Sequence, residues 1–159
     1  MEIPALKFKN NSQLNNFKFN ECAREYSGCS YCVDRLRLIE RTSKVTPKKV
    51  GQFVTLWKRT NDNLTSPLDL EDDFDFVIII CRSDNQVGKF IFPKSILLEK
   101  NYIRLSSKSS GGKRGFRVYP EWDRPVSKQA VKTKSWQAGF FSRGLEIDAV
   151  YLENISQPD

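Results

Sequence analysis

The chain contains no histidine. That absence excludes Ser-His-Asp and Cys-His nucleophile systems, and it removes imidazole as a general base and as a zinc ligand. Long apolar runs are also missing. The longest is Phe76 to Cys81, far short of the ~18 residues that span a bilayer. The opening Met1-Glu2-Ile3-Pro4-Ala5-Leu6-Lys7 has no basic stretch followed by an apolar one. No signal peptide is therefore expected, and the protein is expected in the cytoplasm without membrane contact. Cysteines are few: Cys22, Cys29, Cys32 and Cys81. In a reducing compartment they are expected to be thiols. Cys29-Ser30-Tyr31-Cys32 is a CxxC, but strand-like sequence flanks it on both sides, whereas a redox CxxC opens a helix. No second CxxC completes a zinc site. The expectation is small side chains packed near the core, with Cys81 inside a strand.

What is present suits one folded domain, residues 1–159, with its core at about residues 20–143. Hydrophobic residues make up 39% of the chain and include 11 Phe and 3 Trp, which rules out a wholly disordered polymer. The net charge is +7, and it is sorted along the chain. Arg35 to Arg59 holds eight cations and one acid, Glu40. Lys100 to Arg117 holds six cations and no acid, and Arg124 to Arg143 holds five more. Between them, Asp62 to Asp75 carries six acids and no base. Such segregation points to a polyanion partner.

Local patterning predicts a mixed, largely antiparallel sheet flanked by helices, an α+β domain. Residues 10–27 read as a weakly amphipathic helix through Leu14, Phe17 and Cys22. Cys29 to Thr42 reads as a strand pair turning at Asp34-Arg35. Thr46-Pro47 looks like a helix start, with Val50, Phe53, Val54 and Trp57 at helical spacing. A strand over Gln52 to Trp57 is the rival. Asn61 to Asp73 reads as loop. Phe74 to Arg82 and Lys89 to Phe92 predict a hairpin around a central strand, with a short helix from Ser95 to Lys100. Phe116 to Tyr119 is a further strand. Ser127 caps a helix containing Ala130, Trp136, Phe140 and Phe141.

Three features carry chemistry. Arg41, Lys44 and Lys49 surround the expected helix start, where free N–H groups welcome an anion. Ser109-Ser110-Gly111-Gly112-Lys113-Arg114-Gly115 has the composition of a phosphate cradle without being a Walker A motif. Tyr119 and Trp122, beside Pro120, are candidates for stacking on a base, whereas Trp57 and Trp136 fall on core stripes. Separately, Asp75 at the start of one strand and Lys94 at the end of the next have the layout of a metal-dependent nuclease. There, two carboxylates hold Mg²⁺ and a lysine positions water. The second carboxylate belongs two residues before the lysine, and that position is Phe92. Glu25 or Glu40 would have to replace it.

Taken together, Lys44-Val45-Thr46-Pro47-Lys48-Lys49-Val50-Gly51-Gln52-Phe53-Val54-Thr55-Leu56-Trp57-Lys58-Arg59, Gly88-Lys89-Phe90-Ile91-Phe92-Pro93-Lys94-Ser95 and Gly112-Lys113-Arg114-Gly115-Phe116-Arg117-Val118-Tyr119-Pro120 resemble the MepB family. Lys128-Gln129-Ala130 and Trp136-Gln137 fit as well, and the resemblance runs from about Glu25 to Phe141. The family is bacterial, and it is similar to the PD-(D/E)XK nuclease-like fold with an eroded active site. That analogy speaks to fold rather than activity. The polar residues matched are mostly cations: Arg41, Lys44, Lys49, Arg59, Lys94, Lys113, Arg114 and Arg117.

The expected function is therefore non-catalytic binding of nucleic acid, or of a smaller phosphorylated ligand, in a basic cleft without a cofactor. One alternative is a Mg²⁺-dependent nuclease using Asp75, Lys94 and Glu25 or Glu40. Another is an adaptor whose basic face meets an acidic protein. The sequence fixes no oligomeric state.

Overall fold

Phe76-Val77-Ile78-Ile79-Ile80-Cys81 is apolar at every position, so a strand built from it must be covered on both faces. The computed structural model describes residues 4–9 and 12–156. Its strands are β1 (Lys7–Phe8), β2 (Leu14–Phe19), β3 (Cys29–Val33), β4 (Leu36–Thr42), β5 (Lys44–Val45), β6 (Gln52–Thr55), β7 (Trp57–Arg59), β8 (Thr65–Pro67), β9 (Phe76–Ser83), β10 (Gln86–Pro93), β11 (Gly115–Val118), β12 (Phe141–Arg143) and β13 (Glu146–Ile147). The α-helices are α1 (Lys94–Glu99), α2 (Lys128–Gln137) and α3 (Ala149–Ser156), with 3-10 turns at Glu21–Tyr26 and Ala138–Phe140.

A six-stranded sheet in the order β12-β10-β9-β4-β3-β2 forms the centre. All its pairings are antiparallel except β4 with β9, which run parallel. This is the expected α+β architecture. Alternation along β9 divides the core in two. Val77, Ile79 and Cys81 face a cluster with Val54, Leu56, Phe90, Phe92, Leu97, Phe116 and Val118. Phe76, Ile78 and Ile80 face another with Leu6, Tyr31, Leu38, Ile91 and Leu152. The first cluster carries the small sheet β11-β6-β5, and Trp136 of α2 packs against it. The second is covered by the N-terminal segment and α3.

Two expected helices are strands. Residues 14–19 pair with β3 through a register shift between Asn15 and Lys18, and Asn20 then caps the 3-10 turn by accepting from the Cys22 amide. Residues 1–3, 10 and 11 lie outside the described residues. At Thr46-Pro47, helix gives way to bends followed by β6. Gly51 sits at φ +90°, which breaks a helix, and a Cβ there would lie 2.7 Å from the Tyr119 ring. Buried Gln52 then locks the strand: Ser43 Oγ donates to its Oε1 at 2.6 Å and its Nε2 donates to the Arg82 carbonyl at 3.0 Å. At the other end, α2 stops at Gln137, so Phe140 and Phe141 fall beyond it. Among the described residues no helix is long and apolar enough to cross a membrane.

All four cysteines are thiols; Cys29 and Cys81 are buried, and Cys32 is half-buried. Cys22 is exposed rather than packed, because the 3-10 turn displays it. Burial pushes the Cys81 thiol up to about 12.

Ile79→Ala is expected to cost ~2–5 kcal/mol, because a fully buried residue on the doubly covered strand leaves a cavity. Urea unfolding measures it, and a loss under ~1 kcal/mol would contradict two-sided burial.

Candidate anion-binding cleft

Four of the six acids of the acidic segment are consumed internally. Asp75 accepts from the Arg37 amide at 2.8 Å and from its Nε and Nη2 at 3.2 Å each. Arg37 also pairs with Asp73. Lys58 Nζ donates to Asp69 at 2.8 Å and to both Asp72 oxygens, at 2.9 and 2.8 Å. Lys94 Nζ donates to the Asp72 carbonyl and stands 4.5 Å over the Phe74 ring. Burial disfavours the Asp75 carboxylate, but Arg37's hydrogen bonds and charge, with Lys94 beyond, outweigh it and hold the carboxyl below its ordinary value.

Asp75 and Lys94 do meet, as the nuclease layout requires, but the second carboxylate does not join them. Glu40 points to the opposite face of the sheet. There it accepts from the Ala5 and Leu6 amides at 2.8 and 3.2 Å and from the Tyr31 hydroxyl at 2.8 Å. Glu25 is exposed and pairs with Lys44 at 3.8 Å. Phe92 is buried and stacked on Phe90 at 5.3 Å. With both Asp75 oxygens held by Arg37, Asp75, Lys94, Glu25 and Glu40 do not fit a divalent cation.

The eight family-matched cations do not share one groove. Arg41 is buried, with Nη1 donating to the Glu40 carbonyl at 2.9 Å and Nε unpartnered. Burial lowers it to about 10. Lys44 lies 4.9 Å over Tyr26, and Arg59 lies 5.3 Å over Trp57. Arg114 wraps Thr65, donating to its carbonyl and hydroxyl. Lys94 belongs to the acidic network. Trp122 packs edge-on against Phe141, beneath Arg143 at 5.9 Å.

The glycine loop is not a cradle of free amides either. The Gly112 amide donates to Asn101 Oδ1 at 3.1 Å and the Lys113 amide to the Tyr102 carbonyl at 3.0 Å. What the loop offers is the Lys113 side chain.

Lys49, Lys113, Arg117 and Tyr119 do converge. They line a cleft of about 510 Å³ with Lys48, Tyr102 and Phe116, closed on one side by Ser127 and Ala130 at the start of α2. No carboxylate lines it. Arg117 braces the wall: its Nη2 donates to Thr46 Oγ1 at 2.6 Å and its Nη1 to the Val50 and Gly51 carbonyls at 3.4 Å. The bend carrying Lys48 and Lys49 is thereby held in place. Tyr102 and Phe116 stack at 4.2 Å, and Lys113 Nζ stands 5.3 Å over Tyr102. Behind them, fully buried Gln137 accepts from the Tyr119 amide at 2.9 Å and donates to the Arg117 carbonyl at 3.0 Å and the Tyr102 hydroxyl at 3.3 Å. Burial pushes the Tyr102 phenol up to about 12, so it stays neutral. Ser127 caps α2 by accepting from the Ala130 amide at 3.2 Å, and the first turn has no acid. Sequence reasoning overlooked Lys48 and Tyr102. The basic run beside Lys49 signalled the first, and nothing in the local pattern signalled the second.

Over residues 20–143 the chain matches the MepB-like family. It also superimposes on a crystal structure of MepB with a TM-score of 0.78 at 30% identity, over 86% of this chain and 90% of that one. The chain belongs to the MepB-like family. No curated protein matches it. The family match holds every residue that lines the cleft, whereas β1, β2, β13 and α3 fall outside it.

Asp75 yields a pH prediction. Its carboxyl is depressed on folding, so its contribution is present above the ordinary carboxylate value of ~3.9 and disappears as pH falls through the folded value. Asp75→Asn is expected to lose about 1 kcal/mol at neutral pH, since Arg37 is largely solvated. The gap from wild type should close at low pH. Urea midpoints between neutral and acid conditions measure this, and a gap independent of pH would contradict the pairing.

Proposed function

We propose that the chain binds a phosphate-bearing anion, without catalysis, in the cleft between the Lys48-Lys49 bend and the start of α2. The observation that carries this is the lining: Lys48, Lys49, Lys113 and Arg117 with no carboxylate among them. Among the described residues, the three lysines form no ion pair, although the chain holds 19 acids. Concave, low-dielectric walls concentrate the field of such charges. A volume of about 510 Å³ suits a ligand of nucleotide size. Each lysine–phosphate contact is a charge-assisted hydrogen bond, worth ~1.5–3 kcal/mol where water is partly excluded. Tyr102, Phe116 and Tyr119 supply an apolar wall beside the charges. The expected setting is the cytoplasm, where phosphorylated ligands abound. The carboxylates that a Mg²⁺ nuclease would need are spent elsewhere, so binding is the reading the geometry favours.

Calorimetry with inorganic pyrophosphate tests this. Lys49→Ala and Lys113→Ala are each expected to weaken binding about 10-fold, and added salt should weaken it further. Arg114→Ala, whose guanidinium faces Thr65, should leave it unchanged. Absence of binding, or an equal loss in Arg114→Ala, would contradict the assignment.

A further inference from the structure

A second concavity adjoins the cleft across Val126, which lines both and is 93% exposed. It measures about 540 Å³ and is lined by Lys100, Lys128, Lys132, Val131, Ser135 and Trp136. Again no carboxylate is present, and among the described residues none of these lysines forms an ion pair. Lys128 and Lys132 stand one helical turn apart, about 6 Å along α2. Lys100 Nζ lies 5.3 Å over the Trp136 ring, repeating the Lys113–Tyr102 arrangement of the first cleft. Val126 and Val131, the latter 49% exposed, leave apolar surface between the charges.

We infer that the bound anion is a stretch of single-stranded nucleic acid that runs from the cleft over Val126 into this second concavity. The inference rests on the cleft reading above and names its ligand. The second concavity pairs the partly buried Trp136 ring with a lysine above it, the two elements that bind one unpaired nucleotide: a face for the base and a cation for the phosphate. In the cleft, where Tyr102 is buried and stacked on Phe116, the lysines supply the phosphate contacts. A base stacked on an aromatic ring is held more strongly than a solvated ammonium over the same ring. An arriving base therefore displaces the lysine, which swings out onto the phosphate. A duplex hides its base faces, so it would reach the lysines and leave the rings and valines unused. An acidic peptide would meet the charges and leave the rings capped.

Fluorescence anisotropy with labelled single-stranded DNA and RNA of roughly 12 nucleotides tests this, beside a duplex, an abasic strand and polyglutamate of matching charge. The single strand, in its DNA or RNA arm, is expected to bind about 10-fold more tightly than the other three probes. Lys128→Ala with Lys132→Ala should weaken it about 10-fold and lower the salt slope by about 1.4, leaving pyrophosphate affinity unchanged. Equal binding of the duplex, the abasic strand or polyglutamate would overturn the inference, as would an unaltered affinity in the double variant. If pyrophosphate still binds in that case, the cleft reading stands and the single-strand assignment falls. If pyrophosphate fails to bind as well, both fall.

Discussion

Strand β9 has six successive apolar residues, and water can touch neither of its faces. Covering both faces is what shapes the molecule. On one side the chain supplies the N-terminal segment and α3. On the other it supplies β6, β11, α1 and the aromatic flank of α2. The cleft is a by-product of that second layer. Val54, Phe116 and Val118 are fixed to β9 by burial, so the opposite edges of β6 and β11 meet α2 at a set distance. Gln137 then satisfies the backbone where helix and strand meet. Burial of apolar side chains contributes ~1.5–3 kcal/mol each, whereas exposed ion pairs contribute ~0–1. Packing therefore positions the site, and charge determines its use.

Charge is sorted by proximity. Asp69, Asp72, Asp73 and Asp75 fold back onto Arg37 and Lys58, and Lys94 donates to the Asp72 carbonyl. Arg41 is withdrawn into the interior against the Glu40 carbonyl. Uncompensated charge also collects around α2, where Lys100 and Lys113 stand over aromatic rings and no carboxylate lines either concavity. A solvated cation over a ring is held by only ~0.5–1 kcal/mol. These lysines are consequently restrained yet available to a stronger anion.

The central strand, its hairpin with β10, the β3–β4 pair, α1 and the Ser127 cap were all legible in the sequence, because each rests on local pattern. The helix expected at 46–57 was not a helix, because a 3.6-residue stripe and a short strand share Val50, Phe53, Val54 and Trp57. The decision lay with Gly51 packed on Tyr119 and Gln52 bonded across the sheet, contacts between residues distant in sequence. The cleft was half legible for the same reason. Lys49, Lys113, Arg117 and Tyr119 came from the family-matched blocks and do meet. Arg41, Lys44, Arg59, Lys94 and Arg114 are family-matched as well and line neither concavity: Arg41 is buried against the Glu40 carbonyl, Lys94 joins the acidic network and Arg114 wraps Thr65. Counting cations along a chain cannot reveal which of them the fold has already paired.

On the reading proposed above, uncompensated charge around α2, rather than the richer basic runs of the sequence, receives the anion. Amide chemical shifts followed by NMR during titration with pyrophosphate test it most directly. Saturable shifts are expected, concentrated at Lys48, Lys49, Lys113 and Ala130, the wall and mouth of the cleft. Shifts centred instead on Arg37, Lys58 and Lys94, or scattered without saturation, would contradict it.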